Sequence, residues 1–186
     1  MTLIQRSLRR FTVRDLILTA AAAALGIAVK TVVTPLIHIV SAPLLIPGGA
    51  LAGGLYMMWL IMAAGLTGKR GAASLAGFVQ AILVISAGGT ASHGLLSLVS
   101  YTLPGLTVDL ILFLARQRAD ALPGCFFACM AANIAGTISV NMVFFRLPLI
   151  PLLLSLTAAA LSGGAGGVLA WHLLRALRRF NIIPEI

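Results

Sequence analysis

The residues of this chain that could do chemistry are few, and most are basic or uncharged. Four acidic residues accompany thirteen lysines and arginines in 186 residues. The sequence holds no HExxH, no GxSxG, no Walker lysine loop and no carboxylate pair on one predicted helix. We therefore predict that the chain is not an enzyme, uses no cofactor or metal, and does not hydrolyse ATP. Active transport would then need partner subunits or an ion gradient.

A second set of residues suits the binding of a small molecule. Lys30 and Arg146 are predicted to lie at the outer ends of membrane helices, and His38 and His93 fall on the same side. Lys30 or Arg146 would face an anionic group of the ligand, and nearby aromatic side chains would stack on a ring. Alternatively, the two cations only snorkel at the outer interface. The predicted substrate-binding residues are Lys30, His38, Tyr56, Trp59, Gln80, His93, Asn141 and Arg146.

The elements that must position these residues are apolar helices. Hydrophobic residues make up 60% of the chain and charged residues 9%, and the mean hydropathy is +1.09, which leaves too little polar surface for a soluble globule. Six apolar runs have roughly the 17 to 25 residues needed to span a membrane. We predict an all-α bundle of six transmembrane helices that forms one integral membrane domain over residues 1–186. The spans are predicted at about 16–36, 50–66, 72–87, 95–115, 122–145 and 147–174.

The positive charges predict the orientation of the bundle. Eleven of the thirteen lysines and arginines fall before the first span or after the second, fourth and sixth spans. By the positive-inside rule, both termini should be cytoplasmic. Because the basic residues lie at membrane boundaries, the net charge of +9 does not indicate a nucleic-acid partner.

Irregular backbone is predicted at two places. Residues 34–49 contain three prolines and a glycine pair, so this outer connection should not be a continuous helix. It is largely apolar, and it would either fold back over the bundle as a cap or lie at the interface as a plain loop. Pro104 and Gly105 are predicted to kink the fourth span or to break its hydrogen-bond ladder.

Small residues form a strip in the first span. Ala20, Ala24 and Ala28 recur at four-residue spacing. Such strips let another helix approach closely. The strip therefore predicts either packing within the bundle or a docking face for a separate membrane protein.

Asp109 is the only acidic residue inside a predicted span. An ionisable group within a membrane is costly and is therefore a candidate functional site, here for a coupling proton or sodium ion. The other interpretation is an ion pair at the inner interface with Arg116, with Arg118 or with a partner chain. The sequence does not decide between them.

The chain resembles the S components, the substrate-binding membrane subunits, of energy-coupling factor (ECF) transporters, and among them the YkoE-like group. The resemblance rests on the size and six-helix pattern, the alanine strip, the Pro/Gly-rich outer loop and the stretch GGLYMMWLIMAAGLTGKRGAASLAGFVQAIL. A later match is GLTVDLILFLA, where Asp109 falls at a position that is acidic in the family. This resemblance implies a protein of the bacterial or archaeal cytoplasmic membrane that binds a vitamin or vitamin precursor.

The resemblance also implies partners. The protein would deliver its ligand by docking on a transmembrane coupling (T) subunit that works with two cytoplasmic ATPase subunits. By likeness to the family, the strip of Ala20, Ala24 and Ala28 would meet the coupling subunit. Uptake in such systems involves toppling of the S component in the bilayer.

The substrate is predicted less closely than the class of protein. The YkoE-like group points to thiamine or its hydroxymethylpyrimidine moiety, and such sequences are also described as cobalt-type permeases. The predicted outer end is basic, however, and Gly77 lies where an acid would be expected to meet a basic ligand. This departure favours an anionic or neutral ligand, such as a carboxylate-bearing vitamin, or a metal complex that His38 and His93 engage.

Two other classes of function remain open. A small structural or assembly protein of the membrane would use its small-residue strips for subunit packing alone. A stand-alone ion-coupled carrier is the third class, which the absence of a detectable internal repeat disfavours.

Overall fold

The computed structural model describes residues 11–41, 47–88 and 94–180, and the regular structure in these ranges is helical. The helices are α1 (Val13–Ser41), α2 (Gly48–Thr67), α3 (Ala72–Ala87), α4 (Ser97–Leu114), α5 (Leu122–Val140) and α6 (Leu149–Arg179). A short 3₁₀ turn, Gly94–Leu96, precedes α4, and a π-helical turn, Asn141–Phe145, continues α5. Five of these helices are long and apolar enough to cross a membrane, and α3 is a shorter apolar helix of 16 residues.

Small residues fill the centre of the bundle, and large apolar residues cover its outside. Alanine side chains dominate the core, for example Ala63, Ala76 and Ala132, each of which is fully buried. Leucine, isoleucine and phenylalanine side chains are exposed along all the helices except the central α2. Lipid solvates large apolar side chains as well as a core does, and small residues let helix backbones approach closely. The pattern agrees with a bundle embedded in a bilayer.

The central helix is α2, which packs against α1, α3, α5 and α6. Its closest approach is to α6, where the Gly54 amide N–H donates a hydrogen bond to the Ser162 hydroxyl at 3.0 Å. A Cβ atom added at Gly166 would overlap the Gly54 backbone. The α2–α6 crossing therefore depends on the absence of side chains at these glycines.

One buried amide joins three helices. Asn133 on α5 donates its Nδ2 hydrogens to the carbonyl oxygens of Ala50 on α2, at 3.2 Å, and Ala159 on α6, at 2.8 Å. Its side chain is fully buried, so both hydrogen bonds form in a medium where an unpaired amide would be costly. Asn133 thus ties the first half of α2 to its neighbours.

The helix bounds match the sequence prediction at α3, whereas α1 and α6 each run five residues past their predicted ends, from 36 to Ser41 and from 174 to Arg179. Helix α1 continues through Pro35 to Ser41, so residues 34–41 of the predicted irregular connection are helical. A proline removes one helix hydrogen bond, whereas ending the helix in apolar surroundings would leave several backbone groups unpaired. The connection narrows to residues 42–47, and its predicted role as a cap falls mainly on 42–46, outside the described residues.

Helix α4 also continues through its proline. Pro104 lies inside α4, and the helix continues on both sides of it, so the predicted kink or break in the hydrogen-bond ladder does not end the helix. The next residue, Gly105, packs so closely on α3 that an added Cβ would overlap the carbonyl oxygen of Ala73. Close packing on α3 therefore supports the helix where the proline removes a hydrogen bond.

Candidate functional site

A cavity of about 210 Å³ lies among α1, α2, α3, α4 and α5, at the end of the bundle opposite the basic connections. It is bounded by the second half of α1 and the first halves of α2 and α4, which the charge pattern predicts to lie toward the outside. Most of its lining is apolar, as is usual for small-molecule sites. The polar and charged lining residues are Lys30, Thr34, His38, Tyr56, Gln80, Ser100, Tyr101, Asn133 and Thr137.

Two tyrosines hold the ammonium group of Lys30 in this cavity. The Nζ atom donates a hydrogen bond to the Tyr101 hydroxyl at 2.5 Å and lies 4.2 Å from the centroid of the Tyr101 ring. It also lies 5.5 Å from the centroid of the Tyr56 ring, whose hydroxyl is 3.2 Å from Thr34 Oγ1. The negative faces of the rings stabilise the cation. Side chains from the first halves of α2 and α4 thus hold one cation on α1.

The charge of Lys30 has no carboxylate counterpart among the described residues that line the cavity. The described acids, Asp15, Asp109 and Asp120, lie at the other end of the bundle. A partly buried ammonium group without a counter-ion would attract an anion more strongly than an ammonium group in water does, because desolvation strengthens the interaction between opposite charges. An anionic ligand group would supply the missing partner.

Uncharged polar groups complete the lining. The Ser100 hydroxyl is buried and has no hydrogen-bond partner among the described residues, so it can donate to or accept from a ligand. Gln80 Nε2 is 3.5 Å from the Ala23 carbonyl oxygen, which places its amide against α1. The cavity therefore offers one cation, two aromatic rings and several neutral polar groups.

The structure brings together four of the eight predicted substrate-binding residues at this cavity: Lys30, His38, Tyr56 and Gln80. Trp59 packs against the core beside α1 and is not in the cavity lining. Its indole nitrogen is buried and has no hydrogen-bond partner in the described part of the chain. His93 lies outside the described residues.

Asn141 begins the π-helical turn and Arg146 is the residue that ends it, and neither is in the cavity lining. Asn141 accepts a hydrogen bond from the Leu147 N–H through its side chain, at 3.0 Å, and from the Arg146 N–H through its carbonyl oxygen, at 2.8 Å. The Arg146 backbone is left-handed, with φ of 45°, and its side chain is exposed. Their placement favours the interpretation that Arg146 snorkels at the interface.

Sequence reasoning missed Tyr101 and Ser100. The chain has two tyrosines, and the ring centroids of both lie within 5.5 Å of the Lys30 Nζ atom. Their rarity and their placement in the outer halves of two spans were the available signals. The packing of α4 against α3 that brings Tyr101 near α1 depends on Gly77, where a Cβ would crowd the Tyr101 carbonyl oxygen at 2.6 Å.

At the end of the bundle with the basic connections, Asp109 caps a helix. Its Oδ1 accepts the Gly71 N–H at 3.0 Å, and its Oδ2 accepts the N–H and hydroxyl of Ser74 at 2.8 and 2.5 Å. A carboxylate at this position satisfies N-terminal amides of α3 and complements its dipole. The carboxylate of Asp120 lies 3.1 Å from Arg118 Nε. The ion pair of Asp109 with Arg116, Arg118 or a partner chain stays a prediction.

The alanine strip of α1 lies on the outside of the bundle. Ala20, Ala24 and Ala28 are exposed, whereas Ala22 and Ala23 are buried against the neighbouring helices. The interpretation that the strip packs within the bundle is therefore wrong. The strip remains open to lipid or to another membrane protein.

Comparisons with known proteins agree on one class. Residues 14–135 match the family model described as "ABC-type cobalt transport system, permease component". The fold matches a solved structure described as "Crystal structure of an S-component of ECF transporter", with a TM-score of 0.79 and 19% identity over 92% of this chain and 88% of the other. No curated protein matches the sequence.

These matches and the apolar helices establish a multi-pass protein of the cytoplasmic membrane. The resemblance to ECF S components is confirmed at the level of the fold. The chain belongs to the family of permease components of ABC-type cobalt transport systems.

Proposed function

We propose that this protein is the substrate-binding subunit of an ECF-type importer and that it captures a small organic molecule carrying an anionic or neutral polar group. The observation that carries this proposal is Lys30, held by two tyrosines in a cavity without a described carboxylate. The cavity of about 210 Å³ suits a compact metabolite, because drug-sized ligands occupy about 300 to 1,000 Å³.

The charge of the cavity indicates which vitamins would bind favourably. The YkoE-like resemblance implies thiamine or its hydroxymethylpyrimidine moiety as the first candidate ligand. Thiamine carries a fixed positive charge, which Lys30 would repel, whereas hydroxymethylpyrimidine and carboxylate-bearing vitamins would not meet this repulsion. The lining thus favours the anionic and neutral candidates over thiamine itself.

A bare cobalt ion is a poor match to the described lining. Transition metals in proteins are held by several nitrogen, sulfur or carboxylate ligands, and the described lining supplies one histidine, His38, and no carboxylate. Within residues 11–41, 47–88 and 94–180, no group of three or more such residues is placed to hold a metal ion. A cobalt cargo would then be taken as an organic complex that presents its periphery to the protein.

We also propose the partners and the orientation. Both termini would lie in the cytoplasm, and ligand would enter from outside. The protein would dock on a transmembrane T subunit joined to two ATPase subunits, with Ala20, Ala24 and Ala28 at the contact. The exposure of this strip supports the docking role.

The bound molecule tests the proposal most directly. We expect denaturation of the detergent-purified protein to release about one equivalent of a small organic compound, detected by mass spectrometry against an unrelated membrane protein from the same cells. An empty protein whose thermal stability is unchanged by a panel of vitamins and their complexes would favour the structural or assembly alternative.

Docking has a separate test. We expect Ala24→Trp to lower ATP-dependent uptake by at least about tenfold when partner subunits are coexpressed, because the bulky ring would hold two helices apart where small residues permit close approach. The isolated variant should keep its ligand affinity, since Ala24 is exposed and not in the cavity lining.

Leu106→Trp is the matched control, because Leu106 is an exposed apolar residue on another helix. Its uptake should remain near wild type. Retained uptake in Ala24→Trp would remove the strip from the docking surface.

A further inference from the structure

A second cavity, of about 620 Å³, lies at the end of the bundle where the basic connections meet. The α2–α3 turn, the α4–α5 connection and the end of α6 surround it. Its charged lining has a formal net charge of +3 and comprises Lys69, Arg70, Arg116, Arg118, Arg178, Asp109 and Asp120.

Both acids of this cavity are already engaged. Asp109 accepts the hydrogen bonds that cap α3. Asp120 is bonded to Arg118 at 3.1 Å and to Arg178 at 2.5 Å. Burial alone would raise the pKa of Asp120, but the Arg178 hydrogen bond and the charges of Arg178 and Arg118 outweigh it and hold the pKa below its ordinary value. These two carboxylates therefore do not balance the charges of the other basic residues in the cavity lining.

Arg178 has two donor nitrogens that no described residue uses. One of its terminal nitrogens binds Asp120, while its Nε and its other terminal nitrogen are buried without a hydrogen-bond partner among the described residues. Unpaired guanidinium N–H groups are costly to bury. The planar fork that they form matches the oxygens of a phosphate group.

The rim of the cavity is apolar on one side. Phe113 and Leu114, at the end of α4, are 55% and 66% exposed, and the Arg70 guanidinium lies 5.2 Å from the centroid of the Phe113 ring. In a membrane protein, such side chains contact lipid next to the headgroup layer. Basic residues beside an apolar rim offer complementary surfaces to the phosphate and the acyl chains of one phospholipid.

We propose that this inner cavity binds a phosphate group, with Arg178 and Arg70 as its principal ligands, and that the apolar rim makes an anionic phospholipid the favoured source. The site is separate from the substrate cavity. It would fix the α2–α3 turn and the α4–α5 connection to the end of α6.

Native mass spectrometry of the full-length protein tests the site. In micelles doped equally with phosphatidylglycerol and phosphatidylcholine, we expect one retained phosphatidylglycerol molecule. Arg178→Gln and Arg70→Gln should each weaken its retention by about fivefold or more, the effect of removing one basic charge near an anionic lipid. Arg70→Gln keeps the Asp120–Arg178 pair intact, so its result does not depend on that pair.

Arg179→Gln is the matched control, because Arg179 is exposed next to Arg178 and is not in the cavity lining. Titration with inorganic phosphate in lipid-free detergent separates the two sources: binding lost in the same two variants, without lipid selectivity, would assign the site to a soluble phosphate compound. Equal retention of both lipids together with no phosphate binding would overturn the proposal. Adducts unchanged in Arg178→Gln and Arg70→Gln would also overturn it.

Discussion

We expect Lys30→Gln to weaken ligand binding by about ten- to a hundredfold, the range that corresponds to losing a hydrogen bond to a charged group in a partly desolvated site. The ammonium group would be the cation that meets an anionic ligand, and Tyr56 and Tyr101 position it. The measurement is isothermal titration with the compound recovered from the wild-type protein. Thermal unfolding without ligand should change much less, because the variant keeps the aliphatic stem and a polar end.

Two further variants separate the contributions. Tyr101→Phe removes the hydroxyl that accepts the Lys30 hydrogen bond but keeps the ring, so we expect a smaller loss of affinity than in Lys30→Gln. Arg146→Gln removes a cation that the cavity lining does not include and should bind as the wild type does. An unchanged dissociation constant in Lys30→Gln would remove Lys30 from the binding site.

The ranges of the helices could be predicted because composition controls them directly. Apolar runs, terminal basic residues and glycine turns place α3 at Ala72–Ala87, as the sequence predicted. The error at α1 has a physical cause, since Pro35 carries a strong local signal for irregular backbone that apolar surroundings override. Proline is therefore a weaker helix terminator in this chain than a turn-forming glycine such as Gly68, whose φ of 63° ends α2.

The candidate site was predicted in part because depth along a helix can be read from a sequence, whereas rotation about its axis cannot be read from a weakly amphipathic helix. Lys30 and Arg146 both lie at the predicted outer end of the bundle, but only Lys30 lies on a helix face that lines the cavity. Tyr101 was missed for the same reason, since its position depends on how α4 packs against α3. The sequence identifies Asp109 as an acid within a predicted span, whereas the amides at the start of α3 that it binds are seen only in the fold.

Glycine contacts determine how the helices pack, and replacing a glycine at a helix crossing should strongly destabilise the protein. Gly166→Ala should lower the unfolding free energy by about 3 kcal/mol or more, at the upper end for added volume in a packed interior. The Cβ would overlap the Gly54 backbone, and a backbone cannot move aside as a flexible side chain can. The loss should appear although alanine favours a helix over glycine by about 1 kcal/mol. Thermal unfolding in detergent measures it.

Gly49→Ala is the matched control, because Gly49 also lies in a helix and has nothing within 4 Å of an added Cβ. Its melting temperature should equal or exceed that of the wild type. A wild-type melting temperature in Gly166→Ala would mean that α2 and α6 do not cross backbone to backbone. Since α2 carries Tyr56 and reaches the cavity through its first half, separating it from α6 should also weaken ligand binding. The glycines at the crossing would then support the binding site without contacting the ligand.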